Sequence, residues 1–203
     1  MDMTSSRLPR GAHTSRPWRI HEYTRDFHVE DVWALPTPGG EGDFPALIRG
    51  ATTLDPEESS SRAVRALFAL RWKIGGLFGW DDEGTGLGTR VPTLSDRLPV
   101  ELRETAPPPH SSLPFTPLYL LEDEYAAEIA NRTVHGVLHL GWVPSPDGGY
   151  RGQMAVLVKR NGLFGAAYMT AIAPFRYLIV YPTMIREIER EWPTRLAQLR
   201  SAG

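Results

Sequence analysis

Alternating apolar and polar positions are clearest in the second half of the chain. Short polar breaks separate four runs of apolar, β-branched and aromatic residues: Phe115–Leu121, Tyr125–Asn131, Thr133–Val143 and Tyr150–Lys159. Runs of this length and composition predict strands. The breaker-rich stretch 144–149 contains two prolines and two glycines, which suits the loop of a hairpin. The pattern therefore predicts an antiparallel meander.

The N-terminal part predicts less regular structure. Residues 1–16 are polar and without periodicity, so we expect a disordered tail. Extended segments are expected around Trp18–Glu22 and Phe27–Trp33, the second ended by a Pro/Gly cluster. A single domain then follows from residue 17 to residue 203.

The stretch before the strands predicts one helix and one long loop. Over residues 61–78, apolar positions recur at steps of three and four, and Trp72 belongs to the resulting stripe, which is typical of an amphipathic helix. Residues 81–114 are rich in Gly and Pro and predict a flexible loop.

The chain after residue 160 allows two interpretations. Asn161-Gly162 is a turn signal that would permit another strand over Leu163–Ile172. A helix competes with it, because the stretch does not alternate and leads into helical spacing over Phe175–Glu191. Pro174 and Pro182 are expected to kink such a helix, since proline removes a backbone donor.

Composition narrows the functional classes. The 203 residues are 41% hydrophobic and 23% charged, with a net charge of −2, so a globular protein is expected, with neither nucleic acid nor an anionic membrane as its main partner. The absence of cysteine excludes disulfides, thiolate catalysis and Cys-ligated zinc. No run of about 20 apolar residues is free of charge and proline, so we expect no membrane insertion and a cytoplasmic location.

Recognised catalytic motifs are absent from the sequence. The glycines of residues 84–88 lack the preceding strand and following helix of a dinucleotide fingerprint. His135 and His139 would lie about 13 Å apart along a strand, too far to share a metal. The sequence therefore predicts no cofactor and no metal, and neither a serine elbow nor paired carboxylates support covalent catalysis.

The strand over Thr133–Val143 offers two candidate faces. One carries Val134, Leu138, Leu140 and Trp142, and the other carries Thr133, His135, Val137 and His139. Either face can join Met154 on the next strand, because the register of the hairpin decides which set points inward. In a cavity the imidazoles could bind a ligand or transfer protons; Glu128 and Arg132 could orient a ligand or form a simple ion pair.

Four segments carry a resemblance to a known family: Asn131–His139, Gly162–Gly165, Ile172–Arg176 and Ile179–Pro182. Together they resemble the bacterial domain of unknown function 2867 family over about Trp18–Trp192. That family is similar to the START-like, helix-grip superfamily of polyketide cyclases and lipid-binding proteins. The resemblance implies an α+β helix-grip fold, in which a curved antiparallel sheet wraps around a long C-terminal helix, here Leu163 to about Glu191.

A sheet wrapped around a helix encloses a cavity for a small, mainly apolar ligand. We expect the ligand-binding residues to be His135, His139, Tyr168, Met154, Trp72, Tyr119, Glu128 and Arg132. Two alternatives stay open. One is a cyclase, dehydratase or isomerase that uses a cavity His or Tyr; the other is a protein-interaction module, for instance a homodimer, without a ligand.

Overall fold

The computed structural model describes residues 6–52, 92–109, 115–130, 134–160, 173 and 176–201. Its centre is a five-stranded antiparallel sheet in the order β1-β5-β4-β3-β2. The strands are β1 (His28–Ala34), β2 (Thr116–Leu120), β3 (Glu124–Ala130), β4 (Val134–Pro144) and β5 (Tyr150–Arg160). The predicted meander is confirmed, with strand ends within two residues of the expected ones.

The β4–β5 hairpin forms the middle of the sheet. Val134 pairs with Arg160 and Pro144 with Tyr150, without an irregularity between them. The connecting turn uses Gly148 and Gly149 with φ of 91° and 67°, a conformation that residues with a Cβ rarely adopt. Strand β1 pairs with the free edge of β5, and it overlaps the extended segment that the apolar run Phe27–Trp33 predicted.

Side chains on the two sides of the sheet enter two separate cores. On one side, which we call the strap side, the core includes Val32, Ala126, Val137, Ala155 and Leu157. On the other, which we call the helix side, it includes Trp33, Ala127, Leu140, Trp142 and Met154. Because each face of the sheet buries its apolar side chains under a covering layer, the sheet is the middle of three layers.

The strap side is covered first by the N-terminal strap, which we define as residues 6–24. It contains the short helices α1 (Gly11–Thr14) and α2 (Ile20–Tyr23). Trp18 packs onto the sheet at Gly141, where an added Cβ would lie 2.6 Å from the indole ring. The expectation of a disordered tail is therefore wrong for residues 6–16, and that of an extended segment at Trp18–Glu22 is wrong because helix α2 lies there.

A second segment, residues 92–105, covers the rest of the strap side. Helix α3 (Phe44–Thr52), which precedes this segment in the chain, lies on the helix side. The second segment itself contains a 3₁₀ helix (Leu94–Arg97) and helix α4 (Val100–Arg103). Leu94, Leu98 and Leu102 are buried in the core. The expected flexible loop over 81–114 is therefore wrong for residues 92–105, while residues 81–91 and the helix predicted over 61–78 lie outside the described part.

The helix side is covered by α3 and the C-terminal helix. A π-helical turn, Arg176–Val180, continues directly into α5 (Tyr181–Ser201). Pro182 lacks the N–H that would bond the carbonyl of Leu178, and the distortion expected at this proline coincides with the π-helical turn. The helix continues ten residues past the expected end near Glu191, so that boundary is wrong; the predicted start at Leu163 lies outside the described residues.

Helix α5 is fixed to the sheet by aromatic contacts. Tyr181 packs against Trp33 with ring centroids 4.8 Å apart, and Trp192 against Trp142 at 6.0 Å. The indole N–H of Trp192 also donates to the carbonyl of Pro38 at 2.9 Å. The described structure is thus an α+β fold in which a long C-terminal helix packs on one face of an antiparallel sheet.

Candidate functional site

The hairpin register places the two candidate histidines on the strap side. His135 and His139 share a face of β4 with Val137, whereas Met154 pairs with Leu140 on the helix side. Tyr119 and Glu128 also lie on the strap side. The expectation that these residues join Met154 in one cavity under the C-terminal helix is therefore wrong, because the sheet separates them.

Glu124 is the polar centre of the strap side. Its carboxylate accepts hydrogen bonds from the backbone N–H groups of Arg19 at 2.9 Å and Ile20 at 3.0 Å, at the start of helix α2. It also accepts from the hydroxyl of Tyr119 and binds Nε2 of His139 at 3.0 Å. Burial alone would raise the pKa of Glu124, but the hydrogen bonds from His139, Tyr119 and Arg19 outweigh it and lower the pKa below its usual value.

A row of three imidazoles extends from Glu124 to the surface. Nδ1 of His139 lies 3.2 Å from Nε2 of His13, and Nδ1 of His13 lies 3.2 Å from Nε2 of His21. His13 and His139 are buried, at 0% and 1% exposure, while His21 is half-buried. We call these residues with Glu124 the histidine row; it joins the strap to the sheet.

Glu128 repeats this arrangement for the second segment. Its carboxylate binds Nε2 of His135 at 2.7 Å, and accepts from the hydroxyl of Thr93 and from the backbone N–H of Leu94 at 3.0 Å. The N–H of Leu94 belongs to the start of a 3₁₀ helix. Burial would raise the pKa of Glu128, but the hydrogen bonds from His135 and Thr93 lower it overall.

Both carboxylates thus act as structural anchors. Each is buried, each binds one histidine of β4, and each caps the first turn of a covering helix. In the described ranges no three His, Asp or Glu side chains converge on one point as metal ligands would. The strap-side residues that the sequence singled out therefore hydrogen-bond to one another and to the covering segments.

The helix side differs because its central strands are incompletely covered. Leu138 and Val156 lie opposite each other in β4 and β5, and both are partly exposed, as is Ile129 of β3. Their strap-side neighbours, such as Val137 and Leu157, are each 1% exposed. We call Ile129, Leu138 and Val156 the apolar floor; it is accessible in the middle of the sheet, where side chains are usually buried.

A charged cluster borders the apolar floor. Asp31 of β1 pairs with Val156 and is 1% exposed. Its carboxylate accepts from the hydroxyl of Tyr181 at 2.9 Å and from the hydroxyl of Tyr177, and it forms an ion pair with Arg176. We call this group, completed by the more distant guanidinium of Arg7 at 3.5 Å, the Asp31 cluster.

The aromatic members of this region supply hydrogen-bonding groups in an apolar setting. Burial, followed by the bond to Asp31, raises the pKa of Tyr177, and burial is also the main reason that the pKa of Tyr181 is raised. Both hydroxyls therefore stay protonated near neutral pH. The indole Nε1 of Trp33 is buried and has no hydrogen-bond partner among the described residues, an arrangement that costs free energy unless another group pairs with it.

The predicted site residues are thus distributed over the molecule. Trp72, Tyr168 and Arg132 lie outside the described residues, so the suggested pairing of Glu128 with Arg132 stays a prediction. Sequence reasoning missed Asp31 and Arg176. One signal could have found Asp31. Apart from Glu30 and Asp31, the predicted strand over Val29–Leu35 is apolar, and an acidic residue within an apolar strand needs a buried partner.

Fold and site together define an α+β domain whose antiparallel sheet is sealed on one side and partly open on the side of its C-terminal helix. A model for the family described as "Protein of unknown function (DUF2867)" matches residues 23–183, and the chain belongs to this family. No curated protein and no solved structure matches the chain. Among the helices of the described ranges, none has both the length and the apolar character needed to cross a membrane.

Proposed function

We propose that this protein binds a small, mainly apolar molecule on the helix side of the sheet, in the manner of helix-grip proteins. The observation that carries the proposal is the accessible apolar floor, Leu138 and Val156, lying directly beside the buried Asp31 cluster. Ligand sites combine apolar walls with a few fixed polar groups in this way. Met154 and Leu140 continue the apolar surface towards helix α5.

The polar groups suggest which end of a ligand would face the cluster. The N–H of Trp33 is a donor without a partner in the described part of the chain, whereas the hydroxyl of Tyr177 already donates to Asp31 and accepts from Arg7. An alcohol or carbonyl oxygen on an apolar body fits this donor, since either oxygen can accept its hydrogen bond.

Calorimetric titration with 1-decanol tests the proposal. We expect saturable binding, and we expect Val156→Trp to weaken it at least tenfold because the indole would fill the space above the floor. A tenfold change corresponds to about 1.4 kcal/mol. Val100→Trp is the matched control, since Val100 is 52% exposed on helix α4 of the strap side. Absence of saturable binding, or equal weakening by the control, would contradict the proposal.

A second candidate is acid catalysis on such a ligand, of the cyclase, dehydratase or isomerase kind. The observation favouring it is Tyr177, a half-buried, protonated phenol that touches both Asp31 and Arg7. The histidines of the strap side are separated from the floor by the sheet. Incubating the protein with an extract of small metabolites and following it by mass spectrometry would reveal turnover, which Tyr177→Phe should abolish; no turnover removes this candidate.

A further inference from the structure

The hydrogen bonds of the histidine row determine where its protons lie. An ionised carboxylate only accepts, so His139 donates to Glu124 through Nε2–H, and in a neutral His139 ring Nδ1 is the acceptor. His13 then donates to His139 through Nε2–H, and His21 donates to His13 in the same way. In the neutral row all three imidazoles are thus Nε2–H tautomers, aligned towards Glu124.

This alignment limits how many protons the docked strap can take up. Each of the three contacts in the row has room for one hydrogen, because two facing N–H groups repel. The only further position is Nδ1 at the outer end of the row, on half-buried His21. The docked row therefore accepts at most one added proton, whereas three separated imidazoles accept three.

We propose that the N-terminal strap is an acid-released cover, docked on the sheet at neutral pH and detached when the histidine row takes up protons. Once the strap is released, the three imidazoles can bind at least two protons more than the docked row can hold. A state that binds fewer protons becomes less stable as pH falls, so docking is complete above pH 6.5, the ordinary pKa of histidine, and weakens below it.

The surroundings of the row agree with this direction. Burial, then the neighbouring rings of His139 and His21, lower the pKa of His13 from 6.5 to about 2. Burial and His139 also lower the pKa of His21, against a smaller opposing effect of Glu124. Among the residues that the structure describes, the other ionisable or polar groups near the row are Tyr119 of β2, Asp123 before β3, Gln153 of β5, and the exposed Arg19–Glu22 pair of the strap.

Release of the strap would also change the Asp31 cluster on the helix side. The strap continues to Arg7, whose guanidinium contacts Tyr177 and Asp31, and its backbone pairs with β1 through Leu8 and Val32. Detachment removes Arg7 from the Asp31 cluster. The effect on ligand affinity rests on the proposed function, whereas the release itself does not.

Hydrogen exchange measured by mass spectrometry on the full chain tests the release. The amides of Arg19 and Ile20 bond to Glu124 and that of Leu8 bonds to Val32, so they report docking. After correction for intrinsic exchange rates, we expect their protection to fall at least about a hundredfold per pH unit between pH 6 and pH 5. The amides of the β4–β5 ladder should keep their protection over the same range.

One variant distinguishes the effect of the histidine row from a general loss of stability at low pH. His21→Gln removes one titrating ring, so the fall in protection should become about tenfold smaller per pH unit. His28→Gln is the matched control, because His28 is exposed on β1 and outside the row, and it should keep the wild-type slope. Constant protection of the strap, an unchanged slope in His21→Gln, or simultaneous loss in β4–β5 would each overturn the proposal.

Discussion

Glu124→Ala is expected to cost about 3–5 kcal/mol in the free energy of unfolding, the largest effect of any single substitution considered for this chain. The substitution leaves four donors without their acceptor: the N–H groups of Arg19 and Ile20, the hydroxyl of Tyr119 and Nε2 of His139. Each orphaned buried donor carries a desolvation penalty of about 1–3 kcal/mol, reduced where the strap detaches and water reaches it.

Urea denaturation monitored by circular dichroism would measure this loss. Glu122→Ala is the matched control, because Glu122 is exposed two residues away, and it should change stability by less than about 0.5 kcal/mol. If Glu124→Ala does not fold, Glu124→Gln, which keeps the size of the side chain, gives a measurable midpoint of urea denaturation. Equal stability of Glu124→Ala and Glu122→Ala would show that the carboxylate is not an anchor.

Asp31→Asn is expected to cost about 2–4 kcal/mol. The amide cannot neutralise Arg176, whose side chain is only 11% exposed, and it weakens the bonds from the Tyr177 and Tyr181 hydroxyls. Because these tyrosines begin the C-terminal helix, their amides and those that follow should also exchange faster.

Asp26→Asn provides the comparison for Asp31→Asn. Asp26 pairs with Arg97 and Lys159, but its side chain is 39% exposed, and such surface pairs contribute at most about 1 kcal/mol. Denaturation midpoints of the two variants give the difference directly. A loss in Asp31→Asn no greater than in Asp26→Asn would mean that the Asp31 cluster contributes little to the attachment of the helix.

The strands could be predicted because their information is local. Residues 134–143 form a run of apolar, β-branched and aromatic residues that ends at a Pro/Gly-rich turn, and such a run indicates a strand without knowledge of its neighbours. Which side each set of residues faces depends on partners elsewhere. His135 and His139 face the strap because Trp18 and the second segment cover that side. The sequence predicted an extended segment around Trp18 and a flexible loop for the second segment, so neither was expected as a cover.

The elements that were predicted wrongly depend on contacts distant in sequence. Helix α2 starts where Glu124, 104 residues later, accepts the N–H of Ile20, and the Asp31 cluster joins residues 150 apart in Asp31 and Tyr181. Local propensity contains no information about such partners, so residues 6–16 of the strap were expected to be disordered, Trp18–Glu22 was expected to be extended, and Asp31 was not noticed. The same reason explains why the histidines were expected in the ligand site.

Methyl NMR of the isoleucine, leucine and valine residues during titration with 1-decanol tests the ligand site most directly. Leu138 and Val137 are neighbours in sequence on opposite sides of the sheet, as are Val156 and Leu157. The helix-side proposal predicts saturable shifts at Leu138, Val156 and Ile129, with Val137 and Leu157 nearly unchanged. Shifts confined to Val137 and Leu157, or no saturable shift at the apolar floor, would contradict it.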